Sequence, residues 1–276
     1  MLSRMSSGQS SEDSHAALGT SVAAVAKQRW EVRCRDLQPV GGGDESLTWR
    51  VATDGRPLLL HLSPPWRQIE ELRWVHALIS QFAGRIPAIP AIPALPANDG
   101  STTAPVEGRL LSVYPFIDGA HLDREDPSQR TAAARLLAAL HRVQSSIPVA
   151  PRPPSSPDAP ANLPRPEDPP ELVDAELDRW HAAVLGAGLP RGLIHGDVYR
   201  RNLLWASGKV VAVVDWHDAH RDLLAREVAW STWEFGKEDG GRALRPDRPR
   251  EFLSEYERAA GALSTQERDA LVPFIR

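Results

Sequence analysis

His195-Gly196-Asp197-Val198-Tyr199-Arg200-Arg201-Asn202 is the stretch on which the reading of this chain turns, together with Asp215 just beyond the apolar run Val210-Val211-Ala212-Val213-Val214. The spacing is His-x-Asp-x4-Asn, then a carboxylate closing a strand. Phosphoryl transfer to a hydroxyl needs a carboxylate near the acceptor and further oxygen ligands that hold a divalent cation against phosphates. On that reading Asp197 is the base or aligner of the acceptor hydroxyl, Asn202 and Asp215 are Mg²⁺ ligands, and His195 braces the loop through hydrogen bonds. Taken singly, each piece has an ordinary explanation, since Asp-x4-Asn is a common loop and an Asp after a strand a common turn former. The combination carries the chemistry: His-Gly stands in front and an apolar strand lies between.

Outward from this motif, the first half of the chain reads as a small antiparallel sheet followed by one helix. Strands are expected at Glu31–Leu37, Leu47–Ala52 and Leu58–Leu62, with Gly41-Gly42-Gly43 between the first two and Asp54-Gly55 as a tight turn. An amphipathic helix follows over about Arg67–Phe82, with Ile69, Leu72, Val75, Leu78 and Ile79 at helical spacing. Between Ile86 and Ala97 a tripeptide repeats with proline every third residue, which excludes helix and central strand and favours an extended run. That run is either a ligand for a proline-binding module or a packed connection between strands; its apolar residues favour the second. Arg109–Tyr114 reads as a further strand, and Gln129–Gln144 as a helix.

Residues 147–170 form a second proline-rich tract, long and polar, expected to be a mobile surface insertion. A helix over about Glu171–Leu185, a strand-loop-strand over Gly192–Val214 and mostly helix from Leu223 onward complete the pattern. The expected fold is therefore α+β, β-rich first and helical second, with the join near residues 115–120. The organisation is a disordered tail over 1–20, a first lobe over 21–117 and a helical second lobe over 118–276. The tail is Ser-rich and polar, and a short helix capped by Thr20 or Ser21 is expected to run to about Arg29. Glu12 and Asp13 lie where a signal peptide carries basic residues, which argues against a leader.

Composition narrows the function classes. The 276 residues are 42% apolar, and no stretch approaches the roughly 18 consecutive apolar residues of a membrane span. A net charge of -4 gives no basic surplus for nucleic acid. A single cysteine, Cys34, excludes an intramolecular disulfide and a cysteine-rich metal site, which fits a reducing cytoplasm. Nothing in the sequence speaks to oligomeric state.

The chain resembles the aminoglycoside phosphotransferase and choline kinase group, whose fold is that of the protein kinases. Leu193-Ile194-His195-Gly196-Asp197 through Asn202 is similar to its catalytic loop, and Val213-Val214-Asp215-Trp216 to its metal-binding strand end. Arg226-Glu227-Val228-Ala229-Trp230 resembles the following helix, although the family more often has Asp where Glu227 stands. The resemblance implies a two-lobed kinase-like fold, ATP or GTP as co-substrate and Mg²⁺ as cofactor. It implies that Gly41, Gly42, Gly43 and Ser46 belong to the loop covering the phosphates, although three glycines between strands also make a simple flexible hairpin. It further implies that Tyr114 to Phe116 is the hinge whose backbone meets the adenine. Glu71 matches a helix glutamate that pairs with a basic residue of the third strand.

That basic residue, Lys or Arg in the family, falls at His61. Phosphates and Glu71 would favour the charged imidazole. His61 is then expected to contact the α- or β-phosphate as a cation, with nucleotide affinity falling as pH rises above neutrality.

Two functions compete on these residues. One is a kinase acting on a small-molecule hydroxyl: an aminoglycoside-like antibiotic, an amino alcohol such as homoserine or choline, or a sugar. The acidic residues around Asp218 and Glu234 suit a cationic acceptor, and solvated helix charge explains them as well. The other is a non-catalytic nucleotide-binding regulator, favoured by His61 and opposed by an intact Asp197, Asn202 and Asp215. Protein kinase activity is disfavoured because the chain has no Asp-Phe-Gly or Ala-Pro-Glu signature. Leu271–Arg276 reads as the start of a further helix, so the end is expected to be shortened.

Overall fold

The computed structural model describes residues 5–40, 45–85, 89–143, 147–154, 174–186, 188–238, 240–241 and 243–275. The expected phosphate loop at Gly41, Gly42 and Gly43, and most of the 147–170 tract, lie outside the described residues. Contacts divide the chain into two units: residues 1–80, 92–117 and 150–159 in the first, and residues 81–91, 118–149 and 160–276 in the second.

The first unit is built on a five-stranded antiparallel sheet in the order β1-β2-β3-β5-β4, with β1 at Asp36–Val40, β2 at Leu47–Ala52, β3 at Leu58–Leu62, β4 at Ala104–Val106 and β5 at Arg109–Pro115. The period-2 alternation of β3 decides which side faces what. Leu60 and Leu62 are fully buried and join Trp49, Val51, Leu111 and Val113 in one core, while His61 and Leu59 occupy the opposite face. Val22 and Ala26 of helix α1 (Met5–Trp30) close that core over the sheet. The β4–β5 hairpin turns through Glu107 and Gly108, both at positive φ, as a tight two-residue turn requires.

Three expectations need correction here. Helix α1 begins at Met5, so the tail expected to be disordered over 1–20 is helical from residue 5 onward, and Thr20 or Ser21 is not its cap. No proline interrupts Met1–Trp30, and its Ala, Gln and Glu residues are compatible with helix, so polarity alone was a poor guide to disorder. The first strand lies at Asp36–Val40 instead of Glu31–Leu37. Helix exit consumes the intervening residues: Glu31 turns through φ +57 and Val32 N–H reaches back to the Ala26 carbonyl. Pro39 is tolerated because β1 is an edge strand.

Helix α2 (Ile69–Arg85) starts two residues later than the periodicity suggests and buries Leu72, Val75, Leu78 and Ile79. The proline repeat, where described, is packed: Ile89, Ala91, Ala94 and Ala97 are buried. In the first unit Leu95 N–H donates to the Val113 carbonyl, and in the second Val213 N–H donates to that of Pro90. The 147–170 tract is not mobile surface at its start. Ile147 is buried, and the indole N–H of Trp74 donates to the Ala150 carbonyl at 2.8 Å.

In the second unit, helix α3 (Pro127–Val143) packs with α6 (Asp247–Ala260), and α5 (Leu224–Gly236) with both α6 and α7 (Thr265–Ile275). Helix α4 covers Ala175–Gly186. Two small sheets carry the loops of interest. β7 (Arg191–Ile194) pairs with β10 (His220–Leu223), and β8 (Leu203–Ala206) lies between β6 (Ala120–His121) and β9 (Lys209–Val213). Among the described residues, no helix is long and apolar enough to cross a membrane.

Candidate active site

Strand β7 delivers His195 into the interior, where it is 2% exposed. Its Nε2 lies 3.0 Å from the Val214 carbonyl, which can only accept, and its Nδ1 lies 3.3 Å from Asp197 N–H, which can only donate. Through these two contacts the ring ties the loop after β7 to the end of β9. Gly196 follows at φ +89, and a Cβ there would fall 2.4 Å from the Asp218 carbonyl oxygen, so only glycine lets the two loops meet.

Asp197 comes next, half-buried. Asn202 Nδ2 donates to its backbone carbonyl and to its Oδ2, both at 2.9 Å, while the indole N–H of Trp230 donates to Oδ1 at 3.1 Å. Both carboxylate oxygens are thus oriented by a protein donor. Burial pushes the Asp197 carboxyl up to about 6 against the opposing charge of His195; the charges of Asp215 and Asp218 push the same way as burial, and the Trp230 hydrogen bond works against them.

Asn202 closes a short 3₁₀ turn at Arg200–Asn202, and its carbonyl accepts from Val214 N–H at 2.9 Å. Because its Nδ2 is committed to Asp197, its Oδ1 is the atom left to act as a ligand. Asp215 sits exposed at φ 58 and ψ 65, a left-handed conformation that Asp tolerates better than most residues. Asn202 and Asp215 offer hard oxygen atoms of the kind Mg²⁺ prefers. Among the described residues there is no cluster of three or more His, Cys, Asp or Glu that could hold a metal.

Behind the loop runs a buried chain of hydrogen bonds that sequence reasoning missed. Gly196 N–H donates to Glu227 Oε1 at 2.7 Å, Glu227 Oε2 meets His141 Nε2 at 2.7 Å, and His141 Nδ1 meets the Tyr256 hydroxyl at 2.8 Å. Glu227 and Trp230 stand three apart on α5, so one helix face supports both the loop backbone and the Asp197 carboxylate. That spacing was readable in Arg226–Trp230. The partners on α3 and α6 were not.

Of the two acidic acceptor candidates, Asp218 is exposed and touches the loop through its backbone. Glu234 is largely buried and paired with Lys237, whose ammonium also lies 5.2 Å from the Trp233 ring centroid. In the first unit, Tyr114 donates or accepts at its hydroxyl with His76 Nε2 at 2.8 Å, and the ring of His61 stands edge-on to it at 6.4 Å. Phe116 N–H is committed to the Pro57 carbonyl at 3.1 Å, which removes that donor from the adenine role expected of it. Ser46 stands immediately before β2, and its neighbour Glu45 accepts from the Trp66 indole at 3.0 Å. The carboxylate of Glu71, 1% exposed, takes the guanidinium of Arg67 at 2.8 Å and that of Arg152, so its cations include two arginines from outside the sheet.

The model of the APH phosphotransferase enzyme family matches residues 36–270, most of the chain. The chain belongs to the phosphotransferase enzyme family. Curated relatives include the homoserine kinases of Methylobacillus glycogenes, 27% identical over 258 residues (87% of this chain and 76% of that protein), and of Rhodopseudomonas palustris strain BisA53, 25% identical over 248 residues (86% and 74%). Among solved structures, an amicoumacin kinase in complex with AMP-PNP, Ca²⁺ and amicoumacin superposes with a TM-score of 0.70 at 12% identity, covering 98% of this chain and 84% of that one. A microcompartment-associated aminopropanol kinase does so with a TM-score of 0.70 at 16% identity (93% and 85%). This member of the family therefore has the α+β kinase-like fold and is a small-molecule phosphotransferase. The non-catalytic alternative finds no support in these likenesses.

Proposed function

We propose that the protein transfers the γ-phosphate of ATP or GTP to the hydroxyl of a small amino alcohol, with homoserine the foremost candidate. The observation that carries the reading is the doubly held Asp197 carboxylate, gripped by Asn202 on one oxygen and by Trp230 on the other. A carboxyl titrating near 6 is ionised at neutral pH and still basic enough to accept a hydroxyl proton as it leaves. Fixed orientation contributes more than basicity, because phosphoryl-transfer transition states are loose and reward alignment.

Asn202 Oδ1 and the Asp215 carboxylate are the groups that would hold Mg²⁺, which supplies charge neutralisation to the phosphates when bound. His195 acts by holding the two loops together through its contacts with the Val214 carbonyl and the Asp197 N–H. In the first unit, His61, Ser46 and the Tyr114–Phe116 segment are the proposed nucleotide contacts, with the Phe116 carbonyl in place of its committed N–H. Homoserine is favoured over an aminoglycoside because the curated relatives named above are homoserine kinases, and an aminopropanol kinase shares the fold.

The test is an acceptor screen with ATP and GTP that reads nucleoside diphosphate release, run on the wild type and on Asp197→Asn. Amino-alcohol-dependent release that drops by about two orders of magnitude or more in the variant is the expected result. Release stimulated by aminoglycosides and by no amino alcohol would overturn the acceptor assignment.

A further inference from the structure

We infer that Lys237 binds the carboxylate of the acceptor, which makes the substrate a hydroxy amino acid in its zwitterionic form and not a plain amino alcohol. This inference rests on the reading of Asp197 as the group that receives the acceptor hydroxyl, and it narrows the acceptor class. Trp230, Glu234 and Lys237 follow Glu227 at helical spacing, so the four form one stripe along α5 and its C-terminal end. The stripe starts at the catalytic loop, where Glu227 holds Gly196 N–H and Trp230 holds Asp197 Oδ1 at 3.1 Å. It ends in an ion pair between the Glu234 carboxylate and the Lys237 ammonium. That ammonium lies 5.9 Å from the ring centroid of Trp230 and 5.2 Å from that of Trp233. One indole therefore stands between the Asp197 carboxylate and the Lys237 ammonium. The Tyr199 hydroxyl, raised by burial and then by the charge of Asp197, feels Glu234 as well, against the opposing charge of Arg201, so Glu234 faces the same side as Asp197.

A Lys–Glu pair at a helix end is ordinarily a solvated contact of little consequence. Here the two side chains keep 18% and 11% of their surface exposed, with the ammonium set against two aromatic rings. Desolvating an ion pair costs more than its attraction restores unless further polar partners complete it. A zwitterion is such a partner. Its ammonium meets Glu234 and its carboxylate meets Lys237, so the charges alternate and each has two opposite neighbours. A plain amino alcohol brings the ammonium alone and sets it beside Lys237 as a like charge, in competition for Glu234. The reach also fits. In homoserine the hydroxyl and the carboxylate are about 5 Å apart, and a hydrogen bond of about 3 Å at each end spans an indole's breadth. The exposed ring of Trp230 then lies alongside the methylenes as an apolar wall.

The experiment compares kcat/KM for homoserine with that for 3-aminopropanol, which is homoserine with hydrogen in place of the carboxylate, by nucleoside diphosphate release. Wild type, Lys237→Ala and Lys237→Arg are each measured. Wild type should favour homoserine by about tenfold or more. Loss of the charge-assisted contact in Lys237→Ala should lower the homoserine value by about tenfold or more, chiefly through KM, and leave 3-aminopropanol within about threefold. Lys237→Arg should recover part of the loss, because it keeps the charge. A lysine that serves the fold alone would shift both substrates together, so an unchanged ratio in Lys237→Ala overturns the assignment. Should that variant not fold, Lys237→Gln with an unchanged ratio does the same. A wild type that uses both compounds equally well also overturns it, with the acceptor reading intact. Phosphorylation of neither compound sinks that reading itself, a distinct result.

Discussion

Trp230 donates its indole N–H to Asp197 Oδ1 at 3.1 Å while 40% of the residue stays exposed. An exposed tryptophan on a helix is ordinarily dispensable for folding, so this one offers a clean probe of orientation at the Asp197 carboxylate. Trp230→Phe keeps most of the ring and deletes the donor. Turnover should fall by roughly three- to tenfold, as expected for one hydrogen bond to a charged group, with little change in thermal stability. A variant as active as wild type would mean that Asn202 alone orients the carboxylate.

Glu227 separates charge from shape. Its two oxygens serve Gly196 N–H and His141, and His141 passes the chain on to Tyr256. In Glu227→Gln the amide oxygen can still accept from Gly196, and its NH₂ can donate to His141 Nε2 if the imidazole takes its other tautomer and donates to Tyr256. That exchange keeps every group paired, so the cost should stay below about 1 kcal/mol. Glu227→Ala leaves the Gly196 N–H and the Nε2 of buried His141 without the acceptor they share and should cost about 2–4 kcal/mol in denaturant unfolding. Equal losses in the two variants would show that the negative charge, and not the pairing, matters.

Gly196 tests the contact between the two loops. A methyl at 2.4 Å from the Asp218 carbonyl oxygen, on a backbone at φ +89, must displace one loop from the other. Gly196→Ala should reduce activity by about tenfold or more, because misplacement of a catalytic group by about 1 Å is costly. Val213→Ala on β9 supplies the contrast, since it loosens the core nearby without forcing that displacement. Activity lost equally in both would point to general destabilisation.

The limits of sequence reading follow from the range of the interactions. β2 and β3 were legible to the residue because Leu47–Ala52 and Leu58–Leu62 carry their own boundaries in turn residues and apolar content. The segment holding His195 and Asp215 was legible as strand, loop and strand because apolar runs at Arg191–Ile194 and Lys209–Val213 bound it. β4 at Ala104–Val106 and β6 at Ala120–His121 are too short to show a period, and they exist because a neighbour pairs with them. Trp230 and Arg152 were missed for the same reason at longer range. Each meets its carboxylate across a large separation in sequence, Trp230 with Asp197 and Arg152 with Glu71, which no local pattern encodes.

His76 gives a stability prediction in pH. It is 2% exposed, bonded through Nδ1 to the Thr102 hydroxyl at 2.7 Å and through Nε2 to that of Tyr114 at 2.8 Å. Burial, and after it the charge of nearby His61, lowers its pKa to about 4. The unfolded chain takes up a proton near the ordinary imidazole value of about 6.5, whereas the folded protein resists it, so protonation favours unfolding. The contribution of this group is therefore intact above about pH 6.5, is lost progressively as pH falls towards 4, and stays flat below that. Full loss corresponds to at most about 3 kcal/mol. His76→Gln should be less stable than wild type at pH 7.5 and close much of that gap at pH 5, where carboxylate titration affects both proteins alike. Denaturant unfolding at the two pH values measures the difference, and a gap that does not narrow would mean that His76 is as easily protonated in the folded protein as in the unfolded chain.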